Sequence, residues 1–431
     1  MAVLAELLSS PDSHMRDAAA LAAKAFETPG TAEAMPVYVP GRVEFLGKHT
    51  DYAGGRSLLL AADRGFRMVA VPRDDGVLRL ATGDGTDRQE FPFGRTPDHE
   101  PGHWVNYAAT VARRVRLNFA DEADLRGADM AFVSDLPMAA GMSSSSALMV
   151  ATFLSISAVN RLERTDAFRR EIDSRLKLAE YLGCVENGQS FGSLTGEAGV
   201  GTFGGSEDHT AMLCCGPDRL SMFSFAPAVF ERELPFPAGH RLVVASSGVV
   251  AIKTAAAKEQ YNRASIRARQ ATAAYNRAAG ADCRHLRDVV EHVGTGGLEK
   301  ATEAIDRGAS EEDCGLDLPT RFEQFYREDQ QIIPEVADAL AAGALDRNGP
   351  LVDASHAGAD VGLNNQVPQT NFLRSSARQL GALAASAFGA GFGGSVWAMV
   401  EAGSAEGFIE RWSEAYAADF FEPGMPAPWS E

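Results

Sequence analysis

Cysteine is scarce in this sequence and is not arranged in a binding pattern. The five cysteines are an odd number with no Cys-x-x-Cys spacing; they are Cys184, Cys214, Cys215, Cys283 and Cys314. A disulfide framework or a structural zinc site needs cysteines that pair or that repeat at fixed spacings. The composition therefore argues against both and predicts buried thiols in a reducing cytoplasm.

Basic residues and long apolar runs are scarce as well. Lysine and arginine number 40 against 58 aspartates and glutamates, which gives a formal net charge of -18 at pH 7. Nucleic acids and anionic membranes attract proteins with a basic face, so we expect neither partner. No apolar run reaches the ~18 residues of a membrane-spanning helix, and Met1–Glu6 has no basic segment of a signal peptide. These absences predict a cytoplasmic protein.

Length and composition are those of an ordinary globular protein with more than one domain. The chain has 431 residues, of which 45% are apolar and 23% charged, enough for two or three domains. A new series of short strands and longer helices begins at Leu220. We therefore expect a first lobe over residues 1–215 and a second α+β lobe over residues 216–431.

The periodicity of apolar residues predicts the main elements. Alternation predicts antiparallel strands between residues 37 and 82 and further strands at 131–136, 242–246 and 395–400. Helical spacing predicts helices over 14–27, 103–119, 144–162, 167–186, 253–279 and 373–387. The glycine-rich segment 188–205 is too long for a simple connection, so we expect it to be functional.

Residues 40–55 are the most informative segment. They place Arg42, His49 and Asp51 on one turn punctuated by glycines, and this grouping suits a polyhydroxylated ligand. A charged residue in such a turn is more often only solvated. Here apolar runs on both sides are predicted as strands and would draw the turn into a cleft, so we favour a binding loop.

Residues 137–148, Pro-Met-Ala-Ala-Gly-Met-Ser-Ser-Ser-Ser-Ala-Leu, lie between a predicted strand and a predicted helix. Small residues let backbone N–H groups point into the turn, and the helix N-terminus adds about half a unit of positive charge. The segment predicts a cradle for an anion such as phosphate. The alternative is a plain helix N-cap, for which serine is a common residue.

One further carboxylate has a suggestive position. Asp208 follows the pair Gly204 and Gly205 at the head of an apolar run. An aspartate at such a place is an N-cap more often than a catalyst, so the residues alone leave its role open.

These segments together resemble the galactokinase family of the GHMP small-molecule kinases. Residues 40–55 resemble its Pro-Gly-Arg-Val signature, residues 137–148 its phosphate-binding motif, and residues 204–209 its Gly-x-Met-Asp-Gln element. The resemblance implies an ATP-dependent kinase that phosphorylates the anomeric hydroxyl of galactose or a related sugar. It also implies a two-lobed α+β fold, with a mixed α/β N-terminal lobe, a ferredoxin-like C-terminal lobe and the active site between them.

The resemblance also implies roles for individual residues. Asp208 would be the catalytic base, with Arg42 beside it. The implied sugar-binding residues are Arg42, Lys48, His49, Asp51, Gly205 and Tyr261. The implied nucleotide-binding residues are Trp104, Tyr107, Gly141, Ser143, Ser144, Ser145 and Ser146. Magnesium would bind Ser145 and Glu186, with Glu197 as a rival to Glu186.

Two other glycine-rich segments look like nucleotide-binding motifs but do not meet the requirements of those motifs. Residues 389–394 are glycine-rich, but a dinucleotide fingerprint needs a strand before and a helix after it. Here a predicted helix precedes and a predicted strand follows, and the segment instead resembles the family's third motif, which packs against the phosphate loop. Residues 41–49 fail as a P-loop, because the glycine spacing is one residue too long and His49 stands where Ser or Thr is needed.

The departures from the family lie on the sugar side. Lys48 replaces a Glu, His209 replaces a Gln, and residues 364–370 differ from the family pattern. The acceptor is therefore left open among galactose, galacturonate and a cyclitol. Lys48 would donate to a neutral sugar, pair with a carboxylate at C6, or turn away to pair with Glu44 or another acid.

A non-catalytic sensor of sugar and nucleotide is a hypothesis of another class. It is disfavoured because Arg42, Asp208 and the serine run are all present, and a sensor needs no catalytic pair. The sequence does not decide the oligomeric state.

Overall fold

The computed structural model describes residues 26, 34–95, 97, 99–100, 102–136, 141–249 and 255–420, with the side chains of 255–258 left aside. The predicted helix 14–27 and residues 137–140 of the serine-rich segment lie largely or wholly outside these ranges. Among the helices that are described, none has the length and apolar character needed to cross a membrane.

Strands are numbered in chain order within the described residues. They are β1 Met35–Leu46, β2 Arg56–Arg73, β3 Val77–Thr82, β4 Arg88–Pro92, β5 Gly127–Ser134, β6 Arg219–Ser224, β7 Val229–Pro235, β8 His240–Ser246, β9 Ala384–Phe388 and β10 Ser395–Glu401.

The α-helices are numbered in the same way. They are α1 Val105–Phe119, α2 Ser144–Asn160, α3 Asp166–Glu171, α4 Arg175–Asn187, α5 Glu207–Cys214, α6 Ala255–Ala279, α7 Leu286–Val293, α8 Leu298–Gly308, α9 Leu318–Arg327, α10 Ile333–Ala341, α11 Asn348–Gly358, α12 Pro368–Gln379 and α13 Ala405–Phe420. A π-helical turn, Glu328–Ile332, follows α9, and another, Ala359–Leu363, follows α11.

The chain divides into two compact units. The first contains the described part of Met1–Arg42 together with Ala61–Leu136 and Ser143–Cys214. The second contains Val43–Leu60, the described part of Pro137–Met142, and the described residues from Cys215 onward. The second unit thus includes two short segments that a linear division of the chain at residue 215 does not place there.

The first unit is built on strands that pair in both directions. Residues 66–73 of β2 run antiparallel to β5, β5 runs parallel to β3, and β3 runs antiparallel to β4. Helix α2 packs against α1, α4 and α5, and it is apolar on every side, with most of its side chains buried. A helix without a polar face is stable only inside a core, and this burial fixes the N-terminus of α2.

The second unit has its own strands and two helical cores. Residues 56–59 of β2 pair with β6, and β6 pairs with β7. Strands β8, β10 and β9 form a separate antiparallel sheet in that order. One core joins α6, α7, α8 and α9, and the other joins the three-stranded sheet to α12 and α13. The mixed α/β character of the fold confirms the predicted fold class.

Two predicted helices were wrong. The helix over 167–186 is two helices, α3 and α4, because the Ser174 hydroxyl accepts the Lys177 N–H at 3.2 Å and caps a new helix. The helix over 373–387 ends at Gln379, and the alanine-rich residues after it form β9. All of β9 is buried against β10, so tertiary pairing overrides the helical preference of alanine.

The second error changes what precedes the glycine-rich segment 389–394. A strand, β9, and not a helix, precedes the glycine loop at 389–394. A strand, β10, follows it and pairs with β9 antiparallel. The dinucleotide fingerprint is still excluded, because that motif needs a helix after the loop.

Candidate active site

Arg42 and Asp208 form an ion pair in the first unit. Arg42 Nε donates to Asp208 Oδ1 at 2.5 Å, and the hydroxyl of Ser143 donates to Asp208 Oδ2. Burial raises the pKa of Asp208, but the charge of Arg42 and the hydrogen bonds from Ser143 and Arg42 outweigh it, so that the pKa lies below its ordinary value. Asp208 is therefore a carboxylate at neutral pH.

The position of Asp208 follows from how α5 begins. Asp208 lies in the first turn of α5, where a negative charge is favoured by the helix dipole. The start of α5 is tied to the end of α4, because the Asn187 amide donates to the Gly204 carbonyl at 2.5 Å and accepts the Gly204 N–H at 3.1 Å. This clamp brings Asp208 into the same neighbourhood as Glu186.

A second carboxylate site lies beside the first. Ser146 Oγ donates to Glu186 Oε2 at 3.0 Å, and it lies 3.5 Å from Asp208 Oδ2. The buried His209 places its Nε2 3.3 Å from the same Glu186 oxygen. Glu197, the rival to Glu186, pairs instead with Arg113 at 3.3 Å. Carboxylate and hydroxyl oxygens are ligands that magnesium prefers, so Glu186 and Ser146 fit a metal bound together with nucleotide phosphates.

The serine-rich turn has the backbone geometry of an anion cradle. Ser143 precedes α2 in the left-handed conformation, with φ 55° and ψ 48°, and Gly141 has φ 71°. A Cβ built on Gly141 would lie 3.3 Å from the Phe388 carbonyl oxygen and 3.9 Å from Gly394 Cα. The loop at 389–394 therefore does pack against Gly141, as the resemblance implied, and the positive φ at this position favours a glycine.

The predicted adenine contacts lie next to each other at the start of α1. Tyr107 is buried, and Trp104 is half-buried, with its indole N–H donating to Asp87 Oδ2 at 2.6 Å. The Trp104 ring also meets Phe132 edge-on at 5.2 Å between centroids. Their role toward a nucleotide stays a prediction.

The loop predicted to bind sugar has a specific backbone shape in the second unit. Gly47 has φ 126°, and a Cβ there would lie 2.3 Å from Ser57 Oγ, so this position needs glycine. The His49 ring contacts the Tyr52 hydroxyl through Nδ1 at 2.9 Å and the Ala390 carbonyl through Nε2 at 3.1 Å. A carbonyl oxygen only accepts, so Nε2 donates to it, and the two contacts together orient the ring.

Tyr261 lies close to this histidine. The ring centroids of Tyr261 and His49 are 5.5 Å apart. Asp51 is half-buried, and its Oδ1 accepts the Tyr52 N–H at 2.8 Å. The structure therefore brings Tyr261 to the loop that carries His49 and Asp51.

One face of α9 and the π-helical turn after it fixes the backbone of the same loop. Arg321 donates to the His49 carbonyl at 2.7 Å, Gln324 to the Lys48 carbonyl at 3.3 Å, and Glu328 accepts the Gly47 N–H at 3.0 Å. The spacing 321, 324 and 328 places these side chains on one side of the helix. Sequence analysis missed all three, because nothing in the local pattern links them to a loop so distant in the chain.

The chain matches the models of known families in three regions. The galactokinase galactose-binding signature matches residues 24–72, the GHMP kinases N terminal domain matches 106–192, and the GHMP kinases C terminal matches 336–418. The galactokinase of Chloroflexus aggregans is 29% identical over 386 residues, covering 88% of this chain and 87% of that protein. The galactokinase of Streptomyces coelicolor is 27% identical over 398 residues, covering 90% and 89%.

The chain belongs to the galactokinase branch of the GHMP kinases. The galactokinase of Lactococcus lactis, solved in complex with galactose, shares its fold, with a TM-score of 0.75 and 21% identity over 94% of each chain. The mevalonate kinase of Methanococcus jannaschii aligns with a TM-score of 0.53 and 13% identity over 89% of this chain and 96% of that one.

The matched regions differ in which predicted site residues they contain. The galactokinase signature spans Arg42, Lys48, His49 and Asp51, and the GHMP N-terminal match spans Glu186 and the serine run. Asp208 and Tyr261 lie outside all three matches. Their roles depend on the local resemblance and on the contacts described above.

Proposed function

We propose that this galactokinase-family chain transfers the γ-phosphoryl group of ATP to the anomeric hydroxyl of galactose or a related sugar. The contact between Arg42, Asp208 and Ser143 is the observation that carries the proposal. It joins an ionised carboxylate, a buried guanidinium and the N-terminal end of the serine-rich helix α2. A sensor that only binds its ligands has no need of this arrangement.

Asp208 accepts the proton of the attacking hydroxyl in this proposal. A carboxylate held ionised by an arginine is a weak base, but the transition state of phosphoryl transfer is loose, and positioning supplies most of the catalysis. Arg42, which is only 4% exposed, stabilises the negative charge on the phosphoryl group as it moves. Backbone N–H groups at the start of α2 would hold the phosphates.

His49, Asp51 and Tyr261 are the proposed contacts to sugar hydroxyls. The histidine ring is fixed by Tyr52 and the Ala390 carbonyl, so it is oriented before any ligand arrives. Such preorganisation reduces the cost of binding.

The donor requires a divalent metal, and we propose magnesium. The Glu186 carboxylate and the adjacent Ser146 hydroxyl, 3.0 Å apart, fit an ion that also takes phosphate oxygens and water. Bound there, the ion would neutralise charge on the transferred phosphate. The family resemblance favours Ser145 as the hydroxyl ligand, whereas the short distance to Glu186 favours Ser146. The variants Ser145→Ala and Ser146→Ala distinguish the two, because only loss of the true ligand should raise the magnesium concentration that nucleotide binding requires.

The test of the proposed function is ADP release from magnesium-ATP over a panel of hexoses, uronic acids and cyclitols, with a sugar-free blank. We expect turnover that depends on galactose or a close relative. Binding of both nucleotide and sugar without turnover for any member of the panel would instead establish the sensor hypothesis. The predicted cytoplasmic location stays a prediction.

A further inference from the structure

Lys48 is a buried cation inside the loop that the family uses to bind sugar. Its side chain is 2% exposed, and its ammonium group donates to Ser355 Oγ at 3.0 Å. Among the described residues, no carboxylate lies within ion-pair distance of this ammonium. An isolated charge at such a depth is costly, so its balance needs an explanation.

The balancing charge lies one hydroxyl away. The Ser355 hydroxyl donates to Glu328 Oε1 at 2.9 Å, and the same oxygen accepts the Gly47 N–H at 3.0 Å. Glu328 is only 1% exposed. The ammonium, the hydroxyl and the carboxylate therefore form a chain of hydrogen bonds that ends on the backbone of the sugar loop.

His356, which is close enough to feel the charge of Lys48, does not compete for this role. His356 accepts the Ala387 N–H through Nδ1 at 3.3 Å, and burial, only partly offset by its hydrogen bond to Asn371, lowers its pKa to about 4. It is therefore neutral. Buried Arg321 and Arg267 direct their terminal N–H groups to oxygens of other residues: Arg321 to the His49 carbonyl and the Gln324 side chain, and Arg267 to the Gly362 and Asp317 carbonyls.

We propose that Lys48, Ser355 and Glu328 form a buried, hydroxyl-bridged ion pair that positions the sugar loop. The carboxylate that reaches the backbone of this loop is that of Glu328, on the π-helical turn after α9. The charge of Lys48 is balanced inside the protein and is not offered to a substrate carboxylate. This inference rests on the proposed function, and it excludes Lys48 as the partner of a carboxylate at C6 of the sugar.

The first test needs no variant. The value of kcat/KM is measured for galactose and for galacturonate with the wild-type protein and magnesium-ATP. We expect a preference for galactose of at least about tenfold, which corresponds to ~1.4 kcal/mol. A preference for galacturonate would overturn this inference and leave the proposed function standing, whereas absence of turnover with both sugars and with the rest of the panel would refute the proposed function.

The second test is a double-mutant cycle on the ion pair. Lys48→Met and Glu328→Gln each leave one buried charge without its partner, whereas the double variant removes both charges and nearly keeps the shape. We expect each single variant to raise the KM for galactose about tenfold or more with a smaller change in kcat. The double variant should recover most of that loss and should unfold at a higher temperature than either single variant.

Glu323→Gln is the matched control, because Glu323 lies on α9, five residues before Glu328, and forms an exposed pair with Arg327 at 2.7 Å. It should leave the KM for galactose within about twofold of the wild-type value. If the changes in KM and in unfolding temperature of the two single variants simply add in the double variant, the ion pair is refuted. If the single variants do not fold, the double variant decides: a folded, active double variant supports the pair, and an unfolded one contradicts it.

Discussion

Asp208→Asn tests the chemistry more sharply than any other single substitution, because the amide keeps the shape of the side chain and removes its charge. In the wild-type protein, the two carboxylate oxygens accept from Arg42 and from Ser143. An amide has one acceptor oxygen in place of two. The contact to Ser143 is therefore kept only if it reverses, with the amide donating to the hydroxyl, and Arg42 loses its counter-charge.

The magnitude follows from the role and the burial of the pair. A positioned base contributes about 100-fold to 10,000-fold, so we expect kcat to fall by that factor, or ~2.7–5.4 kcal/mol. Breaking a fully buried ion pair costs about 3–5 kcal/mol. Because Arg42 is 4% and Asp208 29% exposed, solvent screening reduces the expected loss of unfolding free energy to roughly 1–3 kcal/mol.

The assay combines three measurements on the same preparation: ADP release, nucleotide affinity by calorimetry, and the free energy of unfolding in urea. Glu207→Gln serves as the matched control, since Glu207 is the adjacent acid in the first turn of α5, and we expect it to keep kcat within about threefold. An Asp208→Asn variant with nearly full kcat would show that this carboxylate only stabilises the first turn of α5. The search for the base would then move to Asp51 or Glu207.

Three further predictions are simpler to test. Glu186→Gln should raise the magnesium concentration needed for nucleotide binding, measured by calorimetry without sugar, and an unchanged requirement would promote Glu197 as the ligand. Burial raises the pKa of Cys184 to about 11 and that of Cys214 to about 12, whereas Cys314 is exposed, so iodoacetamide at pH 8 should label Cys314 first by mass spectrometry. The pKa of Asp208 is lower in the folded protein than in the unfolded chain. The carboxylate therefore stabilises the fold fully above the ordinary aspartate pKa of about 3.9, and this stabilisation is lost as the pH falls through the lower folded pKa. The melting temperatures of wild type and Asp208→Asn should converge only in that acid range, and convergence already at pH 6 would contradict the lowered pKa.

The family and the fold class were predictable from the sequence because their signals are local. Residues 40–55, which are the end of β1 and the turn after it, and the serine run at 143–146 are contiguous segments, so their resemblance to the family's motifs can be read directly from the sequence. The comparisons confirm that family. The error at β9 has the opposite origin: alanines at 384 and 385 favour a helix, and only pairing with β10 makes them a strand.

The environment of Lys48 was beyond sequence reasoning for a similar reason. Its alternatives were a neutral donor, a ligand for a carboxylate, or a partner of Glu44 or another acid. The structure connects it to Ser355, 307 positions away, and through that hydroxyl to Glu328, which is 281 positions from Gly47. Periodicity in a window of a dozen residues carries no information about such contacts.

The active site was partly predictable from the sequence. The resemblance placed Arg42, Asp208 and Glu186 in one functional set, and the structure adds the contacts among Asp208, Ser143, Ser146 and Glu186 that a list of residues does not contain. His209 beside Glu186 was noted only as a departure from the family. Its position 3.3 Å from that carboxylate emerges from the packing of α4 against α5.

The most direct test of the central claim is to identify the product. The protein is incubated with magnesium-ATP and galactose labelled with carbon-13 at C1, and phosphorus and carbon NMR spectra are recorded over time. The account predicts one sugar phosphate per ADP formed, with the phosphorus coupled to the labelled anomeric carbon. ADP formed together with free inorganic phosphate, or a phosphate on any other carbon of the sugar, would contradict it.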